Sequence, residues 1–152
     1  VTGLSAEVRA FLGDPLFAVL AAVGPDGLPQ QSIMWYLLDG DEIMFNTKAG
    51  RAKERYLRDD PRVSLLIGGE YRYVRVTGRV REIRDPEEAH ADIRRLAVRY
   101  TGEDEASKSM ERFGLEERIT YWMTIDRVYA YGFAQRGAIV PSLRPSDHDP
   151  AI

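Results

Sequence analysis

Apolar and polar residues alternate with a period of two along residues 71–84. Val74, Val76 and Val80 fall on one side, and Tyr71, Tyr73, Arg75, Thr77, Arg79 and Arg81 on the other. Successive side chains of a strand point to opposite faces, so this pattern predicts a long strand with one face in a core. Gly78 interrupts the apolar side, which marks a bulge or a close backbone approach. The other side is too aromatic and cationic for a plain solvent face. A ligand or a second subunit would account for it; so would a twisted exposed strand covered by its own long side chains.

Five more strands follow from the same kind of reading. Residues 16–23 are almost wholly apolar and predict a buried strand, closed by the turn signal Gly24-Pro25-Asp26-Gly27. Residues 30–38 predict the next strand, Asp39-Gly40-Asp41 a tight turn, and residues 43–47 a third strand that completes an antiparallel meander. Residues 63–67 give a fourth. Residues 118–131 give the last, with Tyr121, Met123 and Ile125 alternating against Trp122 and Thr124. Helices fall between and around them. Ser5 can cap a helix over 6–12 whose apolar face is Val8, Phe11 and Leu12. Asp85 can cap one over 86–100, with Pro86 in its first turn and Ala89, Ile93, Leu96, Ala97 and Tyr100 as its buried stripe. A weaker helix over 106–113 stops at Gly114. Six antiparallel strands with peripheral helices make an α+β domain, and such a sheet removes its edges by closing into a barrel.

The stretch over 42–67 has unusual charge placement. Between the strands at 43–47 and 63–67 lie a loop, residues 46–50, and a short helix, residues 51–59, stopped by Pro61. A helix N-terminus carries partial positive charge and favours Asp or Glu. Here Lys48, Arg51 and Lys53 gather at the start, and Asp59 and Asp60 close the far end. That arrangement becomes favourable if an anion such as a phosphate docks where backbone N–H groups and cationic side chains converge. From charge alone, a solvated basic turn explains the same residues equally well.

Composition narrows the chemistry. The 152 residues are 44% hydrophobic and 30% charged with a net charge of −3, ordinary for one globular domain. The pI of about 5.5 disfavours general nucleic-acid binding. There is no cysteine, which excludes disulfides and thiolate metal sites. The two histidines, His90 and His148, have no setting for a metal or a catalytic triad, and His90 is expected at the surface of its helix. No apolar run approaches a membrane span and no signal peptide is visible, so cytoplasmic residence is the default. Residues 1–133 read as one domain. Residues 134–152 hold three prolines and little periodicity, a polar tail that is either disordered or laid over a neighbour. No nucleophile–base pair, Walker pattern or Rossmann glycine pattern is present, so a bound cofactor would have to bring the reactive chemistry.

Several segments together resemble a known family: Gly27-Leu28-Pro29-Gln30, Trp35-Tyr36, Asp39-Gly40-Asp41, Thr47, Gly50-Arg51-Ala52-Lys53 and Asp60-Pro61-Arg62-Val63-Ser64-Leu65. Arg75-Val76-Thr77-Gly78-Arg79-Val80, Tyr100-Thr101-Gly102, Glu117-Arg118-Ile119 and Ile125-Asp126-Arg127-Val128 continue the register. In order and spacing the chain resembles the pyridoxamine 5′-phosphate oxidase-like split β-barrel superfamily, the FMN-binding split barrel fold, over residues 5–132. Within it the chain is most similar to the branch of reductases that use the deazaflavin coenzyme F420. The resemblance implies a homodimer with cofactor sites at the subunit interface and a small-molecule acceptor. It puts Arg51 and Lys53 on the cofactor phosphate, with Ala52 between them as a further cofactor-binding position and Lys48 as a weaker carry-over, and Gln30, Ser32 and Thr47 along the ring. Tyr71 and Tyr73 would approach from the partner chain. No side chain is assigned as a covalent catalyst. The expected reaction is hydride transfer from reduced F420 to an unsaturated acceptor, with solvent as proton donor and Tyr71 or Tyr73 as second choice. An FMN oxidase of the same fold and a non-catalytic F420 carrier are the alternatives.

Overall fold

The computed structural model describes residues 3–134, so the expected tail over 134–152 lies, but for Ala134, outside the described residues. Its elements run α1 (Ala6–Leu12), β1 (Ala18–Val23), β2 (Pro29–Met34), β3 (Leu37–Asp39), β4 (Glu42–Lys48), α2 (Ala52–Asp59), β5 (Arg62–Gly69), β6 (Arg72–Ile83), α3 (Pro86–Thr101), α4 (Glu103–Phe113) and β7 (Arg118–Tyr131). The caps read from sequence are formed: Ser5 Oγ accepts from the Val8 N–H at 3.1 Å, and Asp85 Oδ2 accepts from the Glu88 N–H at 3.0 Å. α4 begins earlier than expected, because Glu103, Asp104 and Glu105 suit the positive end of its dipole. Among the described residues no helix is long and apolar enough to cross a membrane.

The described residues form seven strands rather than six, in the order β2-β1-β5-β6-β7-β4-β3, all neighbours antiparallel. The ladder is open, with β2 and β3 as its edges, so the expected closure into a barrel is not made by strand pairing. The expected meander is also absent. The single strand over 30–38 breaks at Trp35 and Tyr36, and its two halves lie on opposite edges of the sheet. Side chains take over the hydrogen bonds the ladder gives up there. The Tyr36 N–H donates to the Tyr100 hydroxyl (3.1 Å), which itself donates to the Leu16 carbonyl. The buried Tyr36 hydroxyl donates to the Leu12 carbonyl at 2.9 Å, and Trp35 stacks on Tyr100 with centroids 5.1 Å apart. A buried backbone group must find a partner, and tyrosine hydroxyls supply it where the chain leaves one edge for the other.

The sheet still curls. Leu20 and Met34 near one edge share a single buried cluster with Ile43 and Phe45 near the other, and with Val8 and Leu12 of α1. A flat sheet would hold these strands too far apart to pack together. A second cluster, Met44, Ile93, Leu96, Ala97, Ala106 and Phe113, packs α3 and α4 on the opposite side of β4. Gly78 is the bulge expected from sequence. The β6–β7 register shifts between Thr77 and Gly78, and a Cβ there would stand 1.8 Å from the Thr124 carbonyl oxygen. On the outer face, the register places Ile33, Val19, Leu66, Arg75 and Tyr129 in one row across five strands. Ile33 is 72% and Leu66 44% exposed, so this face is apolar where a lone domain would meet water.

Candidate functional site

The site is built where β4 turns into α2. Gly50 takes φ +88°, a conformation that side-chain-bearing residues rarely adopt, and it sends the chain into the helix. Arg51 is the N-cap and makes no side-chain capping bond. Capping comes from Glu54, whose Oε2 accepts from the Gly50 N–H at 2.6 Å. A Glu at the third helical position reaching back in this way is half of a capping box, moved by one residue. The same carboxylate accepts from Arg84 Nη2 (2.6 Å) and Arg58 Nη2 (3.0 Å). Charge at this helix is therefore better arranged than Lys48, Arg51 and Lys53 imply, because Glu54 sits in the first turn and Arg58 in the last. The Arg84 hydrogen bond above all, then the Gly50 N–H, holds the Glu54 carboxyl at about 2.

Two cavities meet at this helix start. One, of about 310 Å³, runs along β2 and is lined by Gln30, Ser32, Arg51, Ala52, Lys53 and Tyr56, among others. The other, of about 260 Å³, lies beneath α3 and α4; Thr47, Arg51, Lys53, Arg112, Phe113 and Arg118 are among its walls. Arg51, Lys53 and Ile33 belong to both. Six of the nine residues singled out from sequence are thus brought together: Gln30, Ser32, Thr47, Arg51, Ala52 and Lys53. Lys48 is an exposed residue at the end of β4 and is not in either lining. Tyr71 and Tyr73 stand elsewhere, in the β5–β6 turn and at the start of β6, where Tyr73 stacks on Tyr131 at 5.4 Å.

The cavity walls carry uncompensated polarity. The Lys53 amine is lowered by burial first, then by the charges of Arg51 and Arg118. Thr47 is 2% exposed and its Oγ1 has no hydrogen-bond partner among the described residues. A buried hydroxyl normally finds one, which marks Thr47 as an under-satisfied group in the cavity wall. Sequence reasoning gave no role to Arg118 or Arg112. Arg118 opens a strand of buried residues, and only the β4–β7 register, which sets it opposite Lys48, brings it to the helix start. His90, expected at the surface, is half-buried and its Nε2 lies 2.8 Å from the Glu116 carbonyl oxygen. Its neighbour in the chain, Ala89, is fully buried on α3, which places His90 at the edge of the helix's inner face.

The pyridoxamine 5′-phosphate oxidase family matches residues 4–132. The chain belongs to that family. A pyridoxine/pyridoxamine 5′-phosphate oxidase of Aeromonas hydrophila is 35% identical over 83 residues, 53% of this chain and 39% of that protein, so the match spans well under half of the relative's length. Among solved structures, an F420 reductase superposes with a TM-score of 0.66 at 27% identity, covering 80% of this chain and 94% of that one. A conserved hypothetical protein of Mycobacterium tuberculosis superposes with a TM-score of 0.72 at 30% identity, covering 86% and 88%. The split-barrel superfamily expected from sequence is therefore the one the chain belongs to, although its ladder has seven strands and stays open.

The Glu54 carboxylate carries a testable consequence. Its pKa is depressed on folding from 4.5 to about 2, so its contribution is present above pH 4.5 and is lost as pH falls toward 2. Urea midpoints measured across that window should fall more steeply for the native chain than for Glu54→Gln. Asp60, held at about 2 by its hydrogen bonds with Arg62, and the lowered Glu116 remain in both and contribute to the residual slope. Parallel pH profiles would remove Glu54 from this role.

Proposed function

We propose that the protein is an oxidoreductase that binds a phosphate-bearing deazaflavin, coenzyme F420, and moves a hydride from its reduced form to an unsaturated small molecule. The observation that carries this reading is the meeting of two cavities on Arg51 and Lys53 at the capped start of α2. Two cations beside a helix start suit a phosphate, and the cavity along β2 offers Gln30 and Ser32 as hydrogen-bonding groups for a flat ring. The Lys53 amine, lowered by burial and by the charges of Arg51 and Arg118, fits an anionic ligand. The likeness to an F420 reductase over 94% of that chain supports the deazaflavin, and the likeness to the Aeromonas oxidase supports FMN as the second reading.

When bound, a reduced deazaflavin supplies a hydride from carbon, a two-electron donor that reacts little with oxygen. The chain's share is to hold the phosphate through Arg51 and Lys53, with Ala52 between them, and to fix the ring along Gln30, Ser32 and Thr47 so that an acceptor meets it in one orientation. Lys48 adds charge from outside the cavities. Solvent is the simplest proton source. The outer-face row of Ile33, Leu66, Arg75 and Tyr129 supports a homodimer, in which Tyr71 and Tyr73 would reach the partner's site. Sedimentation at micromolar concentration is expected to give a dimer, and a monomer would count against an interfacial site.

Fluorescence titration with F420 and FMN side by side tests the cofactor. F420 is expected to bind more tightly. Arg51→Ala is expected to weaken it by about ten- to a hundredfold, the worth of a charge-assisted hydrogen bond, and added salt should weaken it further. Unchanged affinity in Arg51→Ala/Lys53→Ala would sink the phosphate assignment. Deuterium placed at C5 of reduced F420 should appear in the reduced product with little oxygen consumed. Product without the label, or rapid peroxide formation with FMN bound, would favour the oxidase reading. Tight F420 binding with no turnover of any acceptor would favour a carrier.

A further inference from the structure

The cavity beneath α3 and α4 carries more positive charge than one phosphate requires. Arg51, Lys53, Arg112 and Arg118 line it, and its lining residues include no Asp or Glu. Arg118 is 7% exposed, and the fold fixes its guanidinium from two sides. Nε donates to Asn46 Oδ1 at 2.9 Å, and Nη1 donates to Glu116 Oε2 at 2.7 Å. Nη2 has no hydrogen-bond partner among the described residues. Asn46 is itself held by α3 and β7: its Nδ2 donates to the Ala89 carbonyl (3.0 Å) and to Thr120 Oγ1 (3.1 Å), and Thr120 donates to the buried Asp92. Phe113 lies beneath Arg118 and Arg112, 5.0 and 4.9 Å from their guanidinium carbons.

Glu116 is the carboxylate that faces these arginines. Burial would raise it, but the Arg118 hydrogen bond and charge, with Lys48 and Arg112, keep it below the ordinary carboxylate range. It lies 2.7 Å from Arg118 and 3.8 Å from Arg112. One carboxylate against this group of cations leaves an excess of positive charge in a partly desolvated place, where like charges repel most strongly. Apart from Asn46 and Thr47 the rest of the wall is apolar, with Phe17, Ile33, Trp35, Ile93 and Leu96 among it.

We propose that this cavity is a second anion subsite, in which Arg118 and Arg112 receive the carboxylate or phosphate group of a flat, ring-sized molecule whose body packs on Trp35, Phe113 and Ile93. Arg118 is the specificity-determining residue, because its fork is pre-set by Asn46 and Glu116 and loses little freedom on binding. This goes beyond the phosphate position at Arg51 and Lys53, and it stands whether the cofactor is F420 or FMN. The anionic group has two possible sources, an acceptor molecule or an anionic extension of the cofactor, and both present the same chemistry to Arg118.

Titration calorimetry with 2-naphthoate and its neutral amide, 2-naphthamide, tests the subsite without any cofactor. The native chain is expected to bind the acid about tenfold or more tightly than the amide, the worth of one charge-assisted hydrogen bond. Removing Arg118 alone would leave Glu116 unpaired, so the informative variant is Arg118→Met/Glu116→Gln, checked for folding by circular dichroism. It should bring acid and amide near parity. Exposed Arg112→Met should narrow the gap by a smaller factor, and Arg118→Lys should keep part of it. Equal binding of acid and amide by the native chain, or an undiminished preference in the folded double variant, would overturn the proposal. Repeating the titration with F420 and with FMN bound separates the sources. Naphthoate that still binds points to an acceptor, naphthoate displaced by the cofactor points to the cofactor's own anionic extension, and both uphold the subsite.

Discussion

The carboxylate of Glu54 holds together the place on which the two cavities depend. It satisfies the Gly50 N–H, and it ties α2 to Arg84 just beyond β6. Without that tie, the left-handed Gly50 and the uncapped Arg51 would leave a helix start crowded with cations and short of hydrogen bonds. An N-cap aspartate would have satisfied the backbone more simply, but it would also have neutralised the cations. Capping from the third helical position keeps the negative charge on the Arg84 and Arg58 side and leaves Arg51 and Lys53 on the cavity side.

A second constraint is the break at Trp35 and Tyr36. It sends β2 to one edge of the ladder and β3 to the other, and among the described residues it leaves β2 with β1 as its only sheet neighbour. Gln30 and Ser32 of this edge strand line the cavity that also meets the start of α2. The tyrosine hydroxyls that replace the ladder there anchor in α3 and in the end of α1. The edge that serves the site is therefore held by the same helix that, through Ala89 and Asp92, fixes Asn46 and Arg118.

Local pattern carried most of the fold. Residues 118–131 and the helix over 6–12 were legible to their ends, because alternation and a Ser cap are properties of adjacent residues. Gly78 was legible as a bulge for the same reason. The split of residues 30–38 was not, since its cause is Tyr100, far along the chain, whose hydroxyl takes backbone groups that a strand would otherwise pair. Barrel closure was over-read, because curling the sheet over one core does not require its edges to pair. At the site, contiguous Gly50-Arg51-Ala52-Lys53 was visible as an anion-binding stretch. Arg118 was not, because its role depends on register: only the pairing of Lys48 with Arg118 brings β7 alongside the loop.

That register also explains why like charges are tolerated there. Lys48 and Arg118 are directly opposite on neighbouring strands, an arrangement that ordinarily destabilises a sheet. Lys48 is exposed and keeps its hydration, whereas Arg118 is buried against Glu116, Asn46 and the Phe113 ring. The repulsion is thus divided between water on one side and one carboxylate on the other. Glu116 offsets Arg118 but is too distant from Arg51 and Lys53 to hydrogen-bond them, so the positive charge they share along the cavity floor is left for whatever enters it. Arg51 and Lys53 line both cavities while Arg118 and Arg112 line one. Losing Arg51 should therefore disturb ligands on either side, and losing Arg118 only those beneath α3 and α4.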